Sequence, residues 1–319
     1  MIGGLLAATA PSLAPVPGAS ENVERSLRIL VGVPAGGLSD RFARELAVSL
    51  QQTLGRSVRV ESKPGAGGRI AAEALKHAAA DGSTIMLAPI IVPVIGPLVF
   101  RNLNYRPTSD FAPVSQLATY EFALAVASDH SARDLHALIG QAKGDSRPLT
   151  FGTPAAGSLP HFLGVALGLA AGIELTHIPY QGAGALGNDL SGGTLPVGIA
   201  ALSDLVPLHQ AGRIRILATS GADRSLLLPT VPTFRELGMP SLEMVGWHGV
   251  YAPAGTPQQV IEELSNAFVV ALAVPELRAR LVAMGLTPTG TTPARLAEIM
   301  ARDSKRWAPV IKASGFSVD

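Results

Sequence analysis

The pattern that decides the fold of this chain is LRILVGVPAGGLSD at Leu27–Asp40. It opens with a run of branched apolar residues, which is typical of a buried β-strand. Prolines and glycines at 34–37 end that run, and apolar residues then recur every fourth position from Leu38 to Leu54, which predicts an amphipathic helix. A strand that passes through a glycine loop into a helix is the repeating unit of α/β proteins.

Three further segments repeat this order of strand, glycine-containing loop and helix. Their loops lie at Pro64–Gly68, Thr153–Ser158 and Gly182–Gly184. Two such units early in the chain and two in its middle predict two α/β lobes, with parallel strands and right-handed crossovers. Further strands are predicted at 84–89, 112–117, 122–127, 195–202, 214–220 and 245–252, with Tyr120 and Glu121 separating the second from the third, and helices begin near Pro257, Pro275 and Pro293.

Composition and motif content argue against several classes of function. The 319 residues are 47% apolar and 15% charged, which is typical of a folded chain, and a net charge of +1 gives no field to attract nucleic acid. The absence of cysteine excludes disulfides, thiolate metal sites and a cysteine nucleophile. The sequence also lacks the GxSxG, HExxH and GxxxxGK[ST] motifs, so we predict neither catalysis, nor a metal, nor a cofactor.

The first 23 residues resemble the apolar half of a secretion signal. They are rich in small residues, with candidate cleavage positions near Ala14 and Ala19, and they are too short and too proline-rich to span a bilayer. The usual basic start is missing, because the first Lys or Arg is Arg25. We expect export to the periplasm and a mature protein that does not span the membrane.

The four glycine loops also indicate a kind of ligand. Each follows a strand and precedes a helix, and open α/β sheets bind ligands at that edge. A helix start offers unpaired N–H groups and a partial positive charge, and glycine lets a ligand approach the backbone closely. Facing loops from two lobes would bind an anion without lysine or arginine. The alternative is that these glycines only turn the chain.

One motif favours a different class of protein. Gly182, Gly184 and Gly187 form GxGxxG after a predicted strand, and Asp204 follows about twenty residues later, as in a dinucleotide-binding fingerprint. The motif lies in the middle of the chain, and no residue stands out as a partner for hydride transfer. A nicotinamide-dependent oxidoreductase therefore stays as an alternative.

Three single residues have two interpretations each. His161 is either a donor to a ligand from the first helical turn or a helix cap. Asp40 either forms a surface pair with Arg44, one helical turn away, or bonds a neighbouring loop or ligand. Trp247 either fills a core or lines the cleft, and we favour the core.

The order of several short motifs resembles one known family. The matching motifs are Val33–Asp40 with Ala43 and Arg44, Pro64–Gly68, Asp81-Gly82, Asp110–Val114, Gly152–Pro154 with Gly157, Ser158 and His161, Pro179–Gly182, Ala211–Arg213, Pro229–Thr233, and Trp247 with Ala252–Pro257. Together they resemble the Bug family of extracytoplasmic solute-binding receptors, which serve tripartite tricarboxylate transporters. The resemblance covers the chain from about residue 27 onward.

This resemblance implies a type II periplasmic-binding-protein fold, with two α/β lobes and a ligand cleft between them. It implies lobes at 24–119 with 222–319 and at 120–221, a small organic acid as ligand, and integral-membrane transporter subunits as partners. It places ligand contacts at Pro34, Ala35, Gly36, Gly37, Ser39, Asp40, Thr153, Pro154, Ala155, Ala156, Gly157, Ser158 and His161, with Pro89, Tyr180, Gly182 and Ala183 as weaker candidates. A valine at position 157 should then obstruct the ligand.

The chain departs from the family pattern on one strand. After Gly192-Gly193 the family usually has two acidic positions, where this chain aligns Pro196 and Ala200. If that alignment holds, an acidic wall of the pocket is lost and the ligand is expected to be more apolar or bulkier. A receptor that senses its ligand without feeding transport also stays as an alternative.

Overall fold

The computed structural model describes residues 26–319, so the predicted signal-like segment at 1–23 lies outside the described residues. The strands are β1 (Leu27–Val31), β2 (Val58–Ser62), β3 (Thr84–Pro89), β4 (Phe111–Ala127), β5 (Leu149–Thr153), β6 (Leu175–Pro179), β7 (Val197–Ala201), β8 (Ile214–Thr219), β9 (Val245–Pro253) and β10 (Thr287–Pro288). The helices are α1 (Leu38–Leu54), α2 (Arg69–Lys76), α3 (Gly96–Val99), α4 (Pro107–Asp110), α5 (Leu135–Gly144), α6 (Leu159–Ala171), α7 (Ala183–Ser191), α8 (Leu202–Gln210), α9 (Gln258–Ala273), α10 (Pro275–Ala283) and α11 (Pro293–Ser314). Short 3₁₀ turns at Ala66–Gly68 and Pro240–Leu242 and a π turn at Ile91–Ile95 complete the described elements.

The strands form two half-sheets with the same internal order. In the first half-sheet the order is β2-β1-β3-β9-β4, and in the second it is β6-β5-β7-β4-β8. In each, the first three strands are parallel and the last two are antiparallel to their neighbours. The predicted parallel strands are confirmed within β2-β1-β3 and within β6-β5-β7, and the antiparallel orientation of β4, β8 and β9 was not predicted.

Strand β4 belongs to both half-sheets. Its residues 111–121 pair with β9, and its residues 122–127 pair with β7 and β8. The predicted break at Tyr120 and Glu121 is wrong, because both residues are in register with β9 and neither is a turn former. The strand changes partners between Glu121 and Phe122, close to one predicted lobe boundary at 119/120; the lobe division itself stays a prediction.

Three apolar clusters stabilise these sheets. One packs α1, α9 and α10 on the first half-sheet, and a second packs α7 and α8 on the second. The third lies on the opposite face, spans both half-sheets, and includes Trp307 and Ile311 of α11. Trp247 is fully buried there and its Nε1–H donates to Asp303 at 2.8 Å, which confirms the core interpretation.

The parallel strands bring the predicted loops together at one edge of each half-sheet. After β1 and β2, a Cβ on Gly32 would lie 2.6 Å from the α-carbon of Gly68, so only glycine allows this approach. After β5 and β6, the N–H of Gly182 donates to the carbonyl of Pro154 at 3.0 Å. Among residues 26–319, no helix combines the length and the apolar character that a membrane span requires.

Candidate ligand-binding site

Asp40 organises the loop between β1 and α1, which we call the first loop (residues 32–37). Gly36 has a φ of 84°, and its N–H donates to Asp40 Oδ2 at 2.9 Å. The same carboxylate accepts from Arg44 at 2.9 and 3.0 Å and from the Ser62 hydroxyl at 2.8 Å. It is 1% exposed, so Asp40 is not the surface residue that one interpretation assumed; it pairs with Arg44 and bonds the loop.

The charge of Asp40 is well compensated. The hydrogen bond from Arg44, with smaller contributions from Gly36 and Ser62, lowers the pKa of Asp40 from 3.8 to about 2 despite its burial. The carboxylate therefore stays ionised at any physiological pH. Its oxygen lone pairs accept hydrogen bonds from groups within the protein. Asp40 therefore stabilises the first loop more than it acts as a contact for an anion.

Some predicted donors of the first loop are engaged, and others are free. The N–H of Gly36 is bonded to Asp40, and that of Gly37 donates to the carbonyl of Pro34 at 3.1 Å. Among the described residues, no acceptor meets the N–H groups of Ala35, Leu38 or Ser39. Pro34, Ala35 and Gly36 are exposed. The free N–H groups therefore belong to the residue before the two glycines and to the first two residues of α1.

Between β5 and α6, the second loop (residues 154–158) repeats this arrangement with different side chains. Gly157 has a φ of 68°, and its N–H donates to Nδ1 of His161 at 3.2 Å. His161 is the third residue of its helix, as Asp40 is of α1. Ser158 caps the helix, because its Oγ accepts from the N–H of His161 at 3.4 Å and donates to the carbonyl of Ala155 at 2.7 Å. The structure thus shows His161 supporting the start of its helix, and its role as a donor to a ligand stays a prediction.

A second histidine, His177 on β6, supports the same loop. Its ring stacks on that of His161 with centroids 3.9 Å apart and planes within 15°. Its Nε2 lies 2.7 Å from Oγ1 of Thr153, whose single hydrogen is donated to the carbonyl of Ala155 at 3.0 Å. The Thr153 hydroxyl therefore accepts from Nε2–H of His177. Sequence reasoning missed this residue, since its partners lie on other elements.

Other second-loop donors are free. The N–H groups of Ala155, Ala156, Ser158 and Leu159 have no acceptor in the part of the chain that the structure describes. Ala155 and Ala156 are exposed, whereas Thr153 is fully buried and Pro154 is partly buried. Thr153 thus acts through its hydroxyl inside the protein, and the outer face of the second loop consists of backbone.

Tyr180, Gly182 and Ala183 join the second loop from the side. The N–H of Tyr180 donates to the carbonyl of Thr153 at 2.8 Å, and the Tyr180 hydroxyl donates to Asp189 at 2.9 Å. Gly182 has a φ of 95° and precedes α7, which begins at Ala183. Because the Tyr180 hydroxyl and the Gly182 N–H are both engaged within the protein, these residues brace the loop.

The GxGxxG motif does not lie in a dinucleotide-binding arrangement. Its preceding strand, β6, is an edge strand that pairs with β5 alone. Asp204 lies in the first turn of α8 after β7, and β5 separates β7 from β6. The fingerprint requires the acidic residue on the strand next to the glycine loop. Gly187 instead packs against Leu208 of α8.

A buried histidine lies beneath the first loop. His248 on β9 is 2% exposed, and its Nε2 is 2.9 Å from the hydroxyl of Ser39. Pro89, another predicted contact, is its register partner on β3. Burial lowers the pKa of His248 to about 4, so the ring is neutral near neutral pH, and its Nδ1 has no partner among the described residues. Sequence reasoning missed His248, although a histidine within an otherwise apolar strand could have indicated a buried polar contact.

The C-terminal residues connect the two loop edges on one side. Val318 exchanges backbone hydrogen bonds with Val99 and Arg101, beside the first half-sheet. Phe316 reaches the second loop, where a Cβ on Gly157 would lie 2.3 Å from its ring. A valine at 157 would therefore meet Phe316 before any ligand, so the expected obstruction has a different cause. On the helical face, Arg41 of α1 is close enough to Asp204 of α8 for a charge interaction.

The expected acidic wall is not part of this site. Ala200 is fully buried in the apolar cluster of α7 and α8. Pro196 precedes β7 at the end opposite the loops, and it lines a separate groove with Asp145 and Arg147. The departure at these two positions therefore does not change the lining of the loop edges, and the inference about ligand size is wrong in its premise.

Two α/β half-sheets of the same strand order, which exchange strands and present helix starts at their loop edges, define the class of two-lobed periplasmic binding proteins. Within that class, residues 42–316 match the model of the tripartite tricarboxylate transporter family receptor, TctC. The chain belongs to this receptor family, as its resemblance to Bug proteins indicated.

Relatives agree with this assignment over nearly the whole chain. Protein BugT of Bordetella pertussis is 34% identical over 313 residues, which are 98% of this chain and 96% of that protein. The R. palustris protein Rpa4515 with adipate has a TM-score of 0.79 at 30% identity, covering 92% of this chain and 98% of that one. MatC from Rhodopseudomonas palustris with bound malate has a TM-score of 0.74 at 27% identity, covering 90% and 98%.

Proposed function

We propose that this protein is an extracytoplasmic solute-binding protein that captures a small carboxylate-bearing metabolite between the first and second loops. It delivers this ligand to the membrane subunits of a tripartite tricarboxylate-type transporter. The observation that carries the proposal is the set of free N–H groups at the two helix starts, at Leu38 and Ser39 and at Ser158 and Leu159. Helix starts with unpaired N–H groups favour anions.

The similarity to a malate-bound and an adipate-bound protein supports a carboxylate as the ligand class. In our proposal, 24–119 with 222–319 form one lobe and 120–221 the other. The chain passes between them within β4 and again after β8, and the partner change after Glu121 is the position of the hinge. A carboxylate that contacts both helix starts stabilises the closed state, so that closure is a shift of population. The segment 1–23 acts as the secretion signal that directs the protein to the periplasm.

A thermal-shift screen of the unfolded and refolded protein against mono-, di- and tricarboxylates tests the ligand class. A ligand at one hundred times its Kd adds about 2.7 kcal/mol to the free energy of unfolding, which raises Tm by several degrees. We expect such a shift with one carboxylate class and none with NAD. A saturable shift with NAD alone would contradict the proposal.

The substitution Leu38→Pro tests the placement of the ligand. Proline is favoured at the first position of a helix and removes only the N–H there. Gly37 has φ −65° and ψ 163°, which a following proline accepts. We expect the affinity for the carboxylate found in the screen to fall about tenfold, since a hydrogen bond to a charged group is worth about 1.5 kcal/mol or more. Leu38→Ala keeps the N–H and is the matched control; equal losses in both variants would place the ligand elsewhere.

A further inference from the structure

The supports of the two loops differ in one chemical respect. Both Gly36 and Gly157 donate their N–H to the third side chain of the following helix. In the first loop that side chain is a carboxylate, Asp40, which stays ionised throughout the physiological range. In the second loop it is the imidazole of His161. An imidazole accepts a hydrogen bond at Nδ1 only while that nitrogen carries no proton, and His is the side chain that titrates near physiological pH.

The second loop depends on two imidazoles. His177 donates to Thr153, Thr153 and Ser158 both donate to the carbonyl of Ala155, and His161 accepts from Gly157. Each residue from 153 to 158 is therefore either bonded within this network or adjacent to a bonded residue. With Nδ1 of His161 protonated, two N–H groups point at each other, and the loop loses its hydrogen bond at Gly157.

The surroundings of the two rings favour the neutral state. Phe151, Phe162 and Phe316 pack around His161 with ring centroids 5.2 to 6.4 Å away. The helix α6 and the strands β5 and β6 contribute no carboxylate, lysine or arginine. Among the described residues that line the adjoining groove of about 590 Å³, Glu174 is the charged one. The groove gives protons access to both rings.

We propose that His161 and His177 are positioning residues that make capture of the carboxylate depend on pH. While both rings are neutral the second loop presents its backbone donors to the ligand; protonation of His161 breaks its bond to Gly157 and weakens binding. This inference rests on the proposed function, because it assigns a pH response to the same site. A direct contact between an imidazolium and the ligand carboxylate would have the opposite effect.

The direction of the pKa shifts agrees with this mechanism. Burial lowers the pKa of His161, and burial together with the charge of His161 lowers that of His177 from 6.5 to about 4. The stability that a neutral His177 adds to the folded state is complete above about pH 6.5 and is lost as the pH falls toward 4, and the lowered pKa of His161 gives a loss in the same direction. Ligand binding is expected to weaken as the pH falls and His161 becomes protonated.

The test compares the wild type with His161→Asn and with His136→Asn. Asparagine at position 161 offers a non-titrating oxygen at the position where Asp40 serves the first loop, and His136 is an exposed histidine on α5. The Kd for adipate and for malate is measured by calorimetry from about pH 7.5 to about pH 4.5. Since these ligands titrate in the same interval, the readout is the ratio of the wild-type Kd to the variant Kd at each pH.

We expect the ratio for His161→Asn to rise about tenfold on acidification, because the ligand binds about tenfold more weakly when His161 is protonated. The ratio for His136→Asn stays constant. A constant or falling ratio for His161→Asn overturns the inference, and binding that strengthens on acidification in the wild type alone shows a direct imidazolium contact instead.

A ligand-free measurement separates this inference from the proposed function. The Gly157 amide signal in an ¹⁵N NMR titration should shift with pH in the wild type and in His136→Asn, and not in His161→Asn. An invariant signal in the wild type overturns the pH response even where carboxylates bind. A titrating signal without binding of any carboxylate leaves the response of the loop in place and contradicts the proposed function. Should His161→Asn not fold, His161→Gln, which also offers a non-titrating oxygen, must abolish the amide shift.

Discussion

The first and second loops occupy equivalent places in two half-sheets of the same strand order, but a different kind of side chain stabilises each loop. Each needs a glycine at positive φ, and each bonds that glycine's N–H to the third side chain of the next helix. The first uses Asp40, neutralised by Arg44, and its outer face is open. The second uses His161, which stacks on His177 and packs against Phe316.

This difference shows that glycine N–H groups in such loops need not serve the ligand. The most conspicuous donors of the sequence pattern, those of Gly36 and Gly157, are used for internal support. The donors that remain for an anion belong to non-glycine residues at the helix starts, such as Leu38 and Leu159. The glycines supply the backbone conformation, and their neighbours supply the binding groups.

Removing the support of the first loop should have the largest effect on stability. Asp40→Ala leaves the Gly36 N–H and the Ser62 hydroxyl without their acceptor and removes the partner of Arg44. Hydrogen bonds to a charged group are worth about 1.5–3 kcal/mol each, and we expect a loss of about 3 kcal/mol in the free energy of unfolding. Urea unfolding at neutral pH measures it.

Asp40→Asn is the matched control, since it keeps the shape and one of the two acceptor oxygens but loses the charge. The stability that Asp40 adds is present above its ordinary pKa of 3.8 and is lost as the pH falls toward 2, so wild type and Asp40→Ala should converge in acid. A loss below about 1 kcal/mol for Asp40→Ala would mean that the first loop does not depend on this residue.

Alanine substitutions at the two equivalent glycines should separate the energetic cost of backbone strain from the cost of a steric contact. Gly36 and Gly157 both have positive φ, but a Cβ on Gly36 meets nothing within 4 Å, whereas one on Gly157 meets Phe316. We expect Gly36→Ala to cost about 1 kcal/mol and Gly157→Ala about 2 kcal/mol or more. Adding Phe316→Ala should bring the cost of Gly157→Ala down to that of Gly36→Ala, in a double-mutant cycle by chemical denaturation. Equal costs without Phe316→Ala would show that the ring moves aside freely.

A smaller effect is expected at the junction of the half-sheets, where neither loop is involved. Burial, together with the nearby Asp223, raises the pKa of Glu121 from 4.5 to about 7. The folded protein thus binds more protons than the unfolded one between these values, and its stability falls as the pH rises from 4.5 to 7. Glu121→Gln should remove this dependence and raise stability at about pH 8 by about 1 kcal/mol, a discounted value because the carboxyl is partly exposed. Parallel stability-against-pH curves for wild type and variant would contradict it.

Most of the elements could be predicted from local sequence. The strand at 84–89 has the predicted bounds, and the helices near Pro257, Pro275 and Pro293 begin where proline and apolar periodicity place them. The prediction failed at β4, because the polar pair at 120–121 obtains its backbone partners from β9, more than a hundred residues away. Local patterns carry no information about such a partner.

The supports of the site were only partly predictable. Asp40 and His161 follow from helix capping, which is a local rule. His177, His248 and Phe316 do not: the bond between Ser39 and His248 spans 209 positions of the chain, and Phe316 meets Gly157 from the end of the last helix. Each of these residues looks ordinary until the sheet order brings its partner to it.

The sequence by itself determined the α/β class, the four glycine loops and the helix starts, because each depends on φ/ψ preferences and apolar spacing within a few residues. Tertiary structure decided which donors remain free and which histidines are paired. It also decided that Ala200 lies in a core and that Phe316 packs against Gly157. The physical reason is that a hydrogen bond or a buried contact requires two groups. The strand order of the two half-sheets determines which distant residue lies close enough to be the second group.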